Sequence, residues 1–105
     1  MATNRLDILK HMLAQDPNNS FARYGLAMEY AKIGDPAQAV IEFERLISTD
    51  ESYAAAYYHG GQALEKLGRV DEARSIYEKG IEVTTRKGDL HTRSEIEAAL
   101  NMLPI

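Results

Sequence analysis

The sequence has no cysteine. Disulfides, thiolate catalysis and cysteine metal sites are therefore excluded, and the composition fits a reducing compartment. Nor is there a surplus of basic charge. Lys and Arg number 12 against 16 Asp and Glu, a formal net charge of -4. That balance leaves no footprint for neutralising phosphates, so neither nucleic acid nor an acidic membrane surface is expected as a partner. No run approaches the ~18 apolar residues of a transmembrane helix. The opening MATNRLDILKHMLAQD lacks an apolar stretch of signal-peptide length and is interrupted by Asp7. The expectation is a soluble, cytoplasmic protein.

What the sequence does have is a duplication. KIGDPAQAVIEFERLI begins at Lys32 and KLGRVDEARSIYEKGI at Lys66, thirty-four residues later. Residues 20–51 overlie residues 54–85 without a gap: Ala22 on Ala56, Tyr24 on Tyr58, Gly34 on Gly68, Ala39 on Ala73, Ile47 on Ile81. A fixed offset of that size marks a helical repeat architecture. Hydrophobic residues at 45% and charged residues at 27% are enough to order a chain of 105 residues as one small domain.

Each unit reads as two helices. Asn18 and Asn19 offer an N-cap before a helix from Ser20 to Ile33, and Gly34 ends it. Asp35 caps the next helix, Pro36 fits its first position, and Gln38 completes a capping-box pattern. That helix runs to about Ser48, with Ala39, Phe43, Leu46 and Ile47 on one face. In the second unit the helices run from about Tyr53 to Leu67 and from about Val70 to Thr84. Arg69 is a poor cap, so the second of these is expected to start loosely. Gly60 and Gly61 lie inside a helix, where each costs roughly 0.5–1 kcal/mol against alanine. They make sense as close contacts between helices, with Tyr77 and its counterpart Phe43 filling the space. No strand precedes them and no P-loop lysine follows, so they do not read as a phosphate loop.

The histidines, His11, His59 and His91, are far apart and lack metal spacing, so they read as solvated. Glu42, Glu44, Glu78 and Glu82 read as a solvated outer face, and no Ser, His and Asp fall into a catalytic arrangement. No cofactor and no metal is expected.

The pattern resembles the tetratricopeptide repeat family. Leu26, Ala27, Tyr30, Gly34, Ala39, Phe43 and Leu46 carry the resemblance in the first unit. Tyr57, Gly60, Gly61, Leu64, Gly68, Ala73, Tyr77 and Gly80 carry it in the second. The family's leading tryptophan is Arg23 in one unit and Tyr57 in the other, and its closing proline is replaced by Glu51 and Thr85. The resemblance implies an all-α fold, a right-handed α-solenoid of stacked antiparallel helix pairs with about six helices. Residues 4–15 would form an N-terminal cap helix and residues 89–103 a C-terminal one. The latter has Thr92, Ile96, Ala99, Leu100 and Leu103 on one face. It is not expected to be a third repeat, because Glu95 would fall where Ala27 and Gly61 sit.

The resemblance further implies a non-enzymatic protein-protein interaction module. Its concave groove would be lined by Phe21, Tyr24, Met28, Tyr58, Gln62 and Glu65 and would take a protein or peptide. Some relatives clamp a peptide carboxylate with lysine and asparagine. Here Tyr24, Met28 and His59 occupy those places, so no such clamp is implied. The alternative is a homo-oligomerisation module, such as a homodimer, joined through its end helices. Ile8 and Met12 widen the apolar arc of the first helix beyond Leu6 and Leu9.

Overall fold

The structure, a computed structural model, describes residues 4–105. Six helices and no strand occur among them: α1 (Arg5–Gln15), α2 (Ser20–Lys32), α3 (Pro36–Thr49), α4 (Ala54–Lys66), α5 (Val70–Lys87) and α6 (Leu90–Asn101). The body is elongated, 47 × 28 × 20 Å, as stacked helix pairs require.

Local chemistry sets the boundaries. The Asn19 side chain accepts from the Ala22 N–H at 3.0 Å, and that of Asp35 from the Gln38 N–H at 3.2 Å, with Pro36 opening α3. Such caps satisfy amides that have no partner within the helix. Arg69 gives α5 no side-chain cap. Its guanidinium instead pairs with Glu72 in the first turn. Gly34, Gly68 and Gly88 close α2, α4 and α5 at positive φ of 85°, 74° and 72°. The next amide turns back each time, from Asp35 to the Tyr30 carbonyl, Arg69 to Leu64 and Asp89 to Thr84.

The helix from Val70 does not stop at Thr84. It continues to Lys87, because the first residue able to take the left-handed closing conformation is Gly88. Its last turn is held from outside: Lys87 Nζ donates to the Ser52 carbonyl at 2.6 Å, and Arg86 lies 3.4 Å from Glu51.

The longer α5 changes the last helix. α2 and α4 start thirty-four residues apart, whereas α6 starts thirty-six after α4. α6 packs on α5 and α4 as α4 packs on α3 and α2. It therefore takes the place of a first helix of a third pair, two residues out of register. At offset thirty-four Glu95 meets a packed position. In the shifted register Glu95 stays exposed, and the buried residue is Ile96, whose Cδ1 lies against Gly80. At the other end, among the described residues, α1 packs on α2 alone, through buried Leu9 and Leu13.

The core runs between the layers: Ala39, Phe43 and Leu46 from α3, Tyr57 and Leu64 from α4, Ala73 and Tyr77 from α5. The glycines are its closest approaches. A Cβ on Gly61 would lie 2.1 Å from Tyr77 Cε1, and one on Gly80 would lie 2.6 Å from Tyr57 Cβ. Both are below any permitted contact, so the rings fit only because the glycines lack side chains.

Glu42 is not on a solvated face. It is 5% exposed and lies between two arginines, with Arg23 Nη1 2.6 Å from Oε1 and Arg45 Nη1 3.0 Å from Oε2. Arg23 also donates to the Pro17 carbonyl at 3.0 Å. Tyr57, thirty-four residues on, donates its hydroxyl to the Glu51 carbonyl at 2.6 Å. Two different side chains thus tie the same point of each unit to the loop six residues back.

Candidate binding groove

The residues read as groove-lining come from α2 and α4. Tyr24 and Met28 are one turn apart on α2, while Tyr58, Gln62 and Glu65 follow one another along a face of α4. The structure brings most of them together around a residue that the sequence left as solvated. The His59 ring lies 5.9 Å from Tyr24 and 5.1 Å from Tyr58, both edge-on, and stacks on Phe43 at 6.5 Å. Tyr24 also meets Tyr53 at 5.2 Å. Offset and edge-to-face pairs of this kind add about 0.5–1.5 kcal/mol each beyond the area they bury. His59 is therefore half-buried within an aromatic cluster and is not a solvated surface histidine.

Along the same face, Met28, His59 and Gln62 line a cleft of ≈ 250 Å³ with Ala31, Pro36 and Ala63, and Lys32 and Lys66 at its mouth. The two lysines are counterparts at the repeat offset, and each ends its helix. Tyr24, Met28 and Tyr58 are half-buried against the core, whereas Gln62 and Glu65 are exposed. Glu65 also has a structural partner, since its carboxylate accepts from the Tyr77 hydroxyl. Phe21 is 68% exposed and takes no part in the ring contacts. Among the described residues no group of three or more His, Asp or Glu could hold a metal ion.

Burial raises the Tyr24 hydroxyl, with Tyr53 and Glu95 adding to the effect. Burial also holds the His59 imidazole below its ordinary value, against a smaller opposing pull from Glu95. The unfolded chain therefore binds this proton at higher pH than the folded protein does. The contribution of His59 to stability is complete above the ordinary imidazole value of about 6.5 and is lost as the pH falls below it. Urea midpoints measured between pH 7 and pH 5.5 are expected to fall on acidification. His59→Gln should flatten that decline, while His11→Gln, at an exposed position, should not. An unchanged slope in His59→Gln would place the titrating group elsewhere.

A family model described as tetratricopeptide repeat matches residues 22–53 and 54–85, more than half of the chain. The chain belongs to the tetratricopeptide repeat family. It is 30% identical, over 95 residues and 90% of each chain, to a TPR repeat-containing protein of Pseudomonas aeruginosa. It is similar to a tetratricopeptide repeat domain protein from Salinibacter ruber solved by NMR. That match has 40% identity and a TM-score of 0.75, covering 81% of this chain and 86% of that one. It is also similar to the second TPR domain of the human RPAP3 protein, solved in complex with an HSP70 peptide. There the identity is 26% and the TM-score 0.72, over 88% and 78% of the two chains. The family is one of helical repeats that serve as interaction scaffolds, and the match points to no catalytic family.

Proposed function

We propose that this TPR protein is a non-enzymatic interaction module that takes a segment of a partner protein along the face built by α2 and α4. The observation that carries the reading is the run of half-buried rings, Tyr24, His59 and Tyr58, leading into the Met28–Gln62 cleft. Aromatic and thioether surface offers contact area at low side-chain entropy cost. Lys32 and Lys66 favour an acidic group on the segment beside an apolar side chain that enters the cleft. Binding of an HSP70 peptide by the RPAP3 domain lends support from a relative, though Tyr24, Met28 and His59 give this chain different chemistry at the places of a carboxylate clamp. The cysteine-free composition suits a cytoplasmic setting.

A photo-crosslinking residue at Gln62 tests the reading, with one at Glu82 as control; both positions are exposed. In the native cell, Gln62 is expected to capture a distinct protein adduct, and Met28→Glu should abolish it without loss of helix. Adducts at Glu82 alone would overturn the groove. End-to-end association of two copies is favoured by Ile8, 48% exposed on α1, and by exposed Leu90 and Met102 at the opposite end. A concentration-dependent dimer lost in Ile8→Lys would support it.

A further inference from the structure

The outer layer holds a second cleft, independent of the groove. α3 and α5 are not in contact, and α4 lies between them. Tyr57 and Leu64 of α4 make the floor of this trough, and Ile47 and Ile76 make its walls. Its volume is ≈ 570 Å³, within the range of about 300–1,000 Å³ that buries organic groups. The rim is acidic. Glu44 and Asp71 make no ion pair among the described residues, while Glu72 is joined by Arg69. The one basic rim residue, Lys79, is shared between Glu51 at 3.7 Å and Glu82 at 3.8 Å.

The repeat provides an internal comparison. One unit earlier, the trough between α1 and α3 is lined by Arg23, Tyr30, Glu42 and Arg45. These are the counterparts of Tyr57, Leu64, Ile76 and Lys79 at the offset of thirty-four. In that earlier trough Arg23 on the floor pairs with Glu42 on the α3 wall, so the protein's own ion pair occupies the cleft. In the later trough both members of the pair are apolar, and Tyr57 turns its hydroxyl to the Glu51 carbonyl. The ridges there face each other across uncharged surface.

We infer that the α3–α5 trough is a second docking surface, for a basic amphipathic helix of a partner protein. Large apolar side chains spaced i, i+3/i+4 on such a helix would seat between Ile47 and Ile76, as one ridge enters a groove. Lys or Arg on its flanks would meet Glu44 and Asp71, neither of which is held in an ion pair among the described residues. A second copy of this chain fits less well, because its net charge of -4 repels the same rim.

The probe is a fluorescein-labelled amphipathic peptide of leucine and lysine, with a leucine–glutamate peptide as control, followed by anisotropy on the whole chain. The lysine peptide should bind and the glutamate peptide should not. Ile76→Glu, which copies the residue found one unit earlier, should weaken the lysine peptide at least ~30-fold, a hot-spot-sized loss, although it makes the protein more acidic. Glu44→Gln with Asp71→Asn should weaken it several-fold and flatten its salt dependence. Amide shift mapping on the unaltered protein provides a second test that needs no variant, with changes expected at Ser48, Leu64, Ser75 and Ile76. Equal or tighter binding by a folded Ile76→Glu would reduce the effect to bulk charge and overturn the proposal. Shifts confined to Tyr24, Met28 and Gln62 would move the peptide to the groove and overturn it as well. A dimer that Ile76→Glu dissolves would assign the trough to a second copy instead.

Discussion

Replacing Glu42 with alanine is expected to cost about 3–5 kcal/mol, the range found when one member of a buried ion pair is removed. The loss comes from what remains. The Arg23 side chain is 15% exposed, and without Glu42 its guanidinium keeps only the Pro17 carbonyl as a partner. Total stabilities of small domains are about 5–15 kcal/mol, so the variant should stand near its unfolding transition at room temperature. Arg45→Ala provides the contrast. That side chain is 63% exposed, and its loss should cost no more than about 1 kcal/mol. The second unit suggests a repair: Arg23→Tyr together with Glu42→Ile installs the pair that Tyr57 and Ile76 form there. Well-packed apolar replacements of buried ion pairs are often neutral or stabilising. The double variant should therefore recover most of what Glu42→Ala loses. Urea denaturation followed by far-ultraviolet circular dichroism measures all four proteins. If Glu42→Ala and Arg45→Ala shift the midpoint equally, the burial of Glu42 contributes nothing special.

Gly61→Ala should cost at least about 2 kcal/mol, at the upper end of overpacking, even after about 1 kcal/mol returned by alanine's better helix propensity. The added methyl would lie 2.1 Å from Tyr77 Cε1 and 2.5 Å from Cζ. The ring cannot withdraw, because Tyr77 is fully buried and its hydroxyl is bonded to Glu65. Gly25→Ala is the matched control. Its methyl would meet the flexible end of Leu9 at 3.0 Å, so the helix preference should offset most of the contact. Thermal melts of the two variants should differ by several degrees. Equal melting temperatures would mean that the α4–α5 contact yields as easily as the α1–α2 contact does.

The features legible in the sequence are those encoded within a few residues. Asn19 and Asp35 as caps, Gly34 and Gly68 as stops, and the small residues at Gly60 and Gly61 act on their own neighbourhoods, so spacing alone exposes them. Glu42 was misread because a glutamate on an amphipathic helix looks solvated unless its partner is known. The partner, Arg23, is nineteen residues away on another helix. A signal was available: at the repeat offset Arg23 and Glu42 replace Tyr57 and Ile76, so two polar residues take over two apolar positions together. His59 carried no such signal. Its surroundings come from α2, α3 and α4 at once, and no single-helix periodicity reports a crossing of three elements. The α6 register was lost to the extra turn of α5. Periodicity within the last helix already sets Ile96 on its packed face; the two-residue shift is what it cannot give, because that follows from α5 running on to Gly88.

The attachment of the α5 end to the loop between α3 and α4 bears on how the chain unfolds. Repeat arrays are close to one-dimensional: each unit senses only its neighbours, and separate segments can open independently unless the boundary terms are strong. Here Glu51 and Ser52, at the boundary of the two units, are held by Tyr57, Lys79, Arg86 and Lys87 of the second. Residues 20–87 should therefore open as a single cooperative block, with uniform protection of the innermost amides of α2 and α4 against hydrogen exchange. α1 has only one neighbouring helix and lies outside that block. Its amides should exchange first, through an opening that leaves the rest of the protein folded.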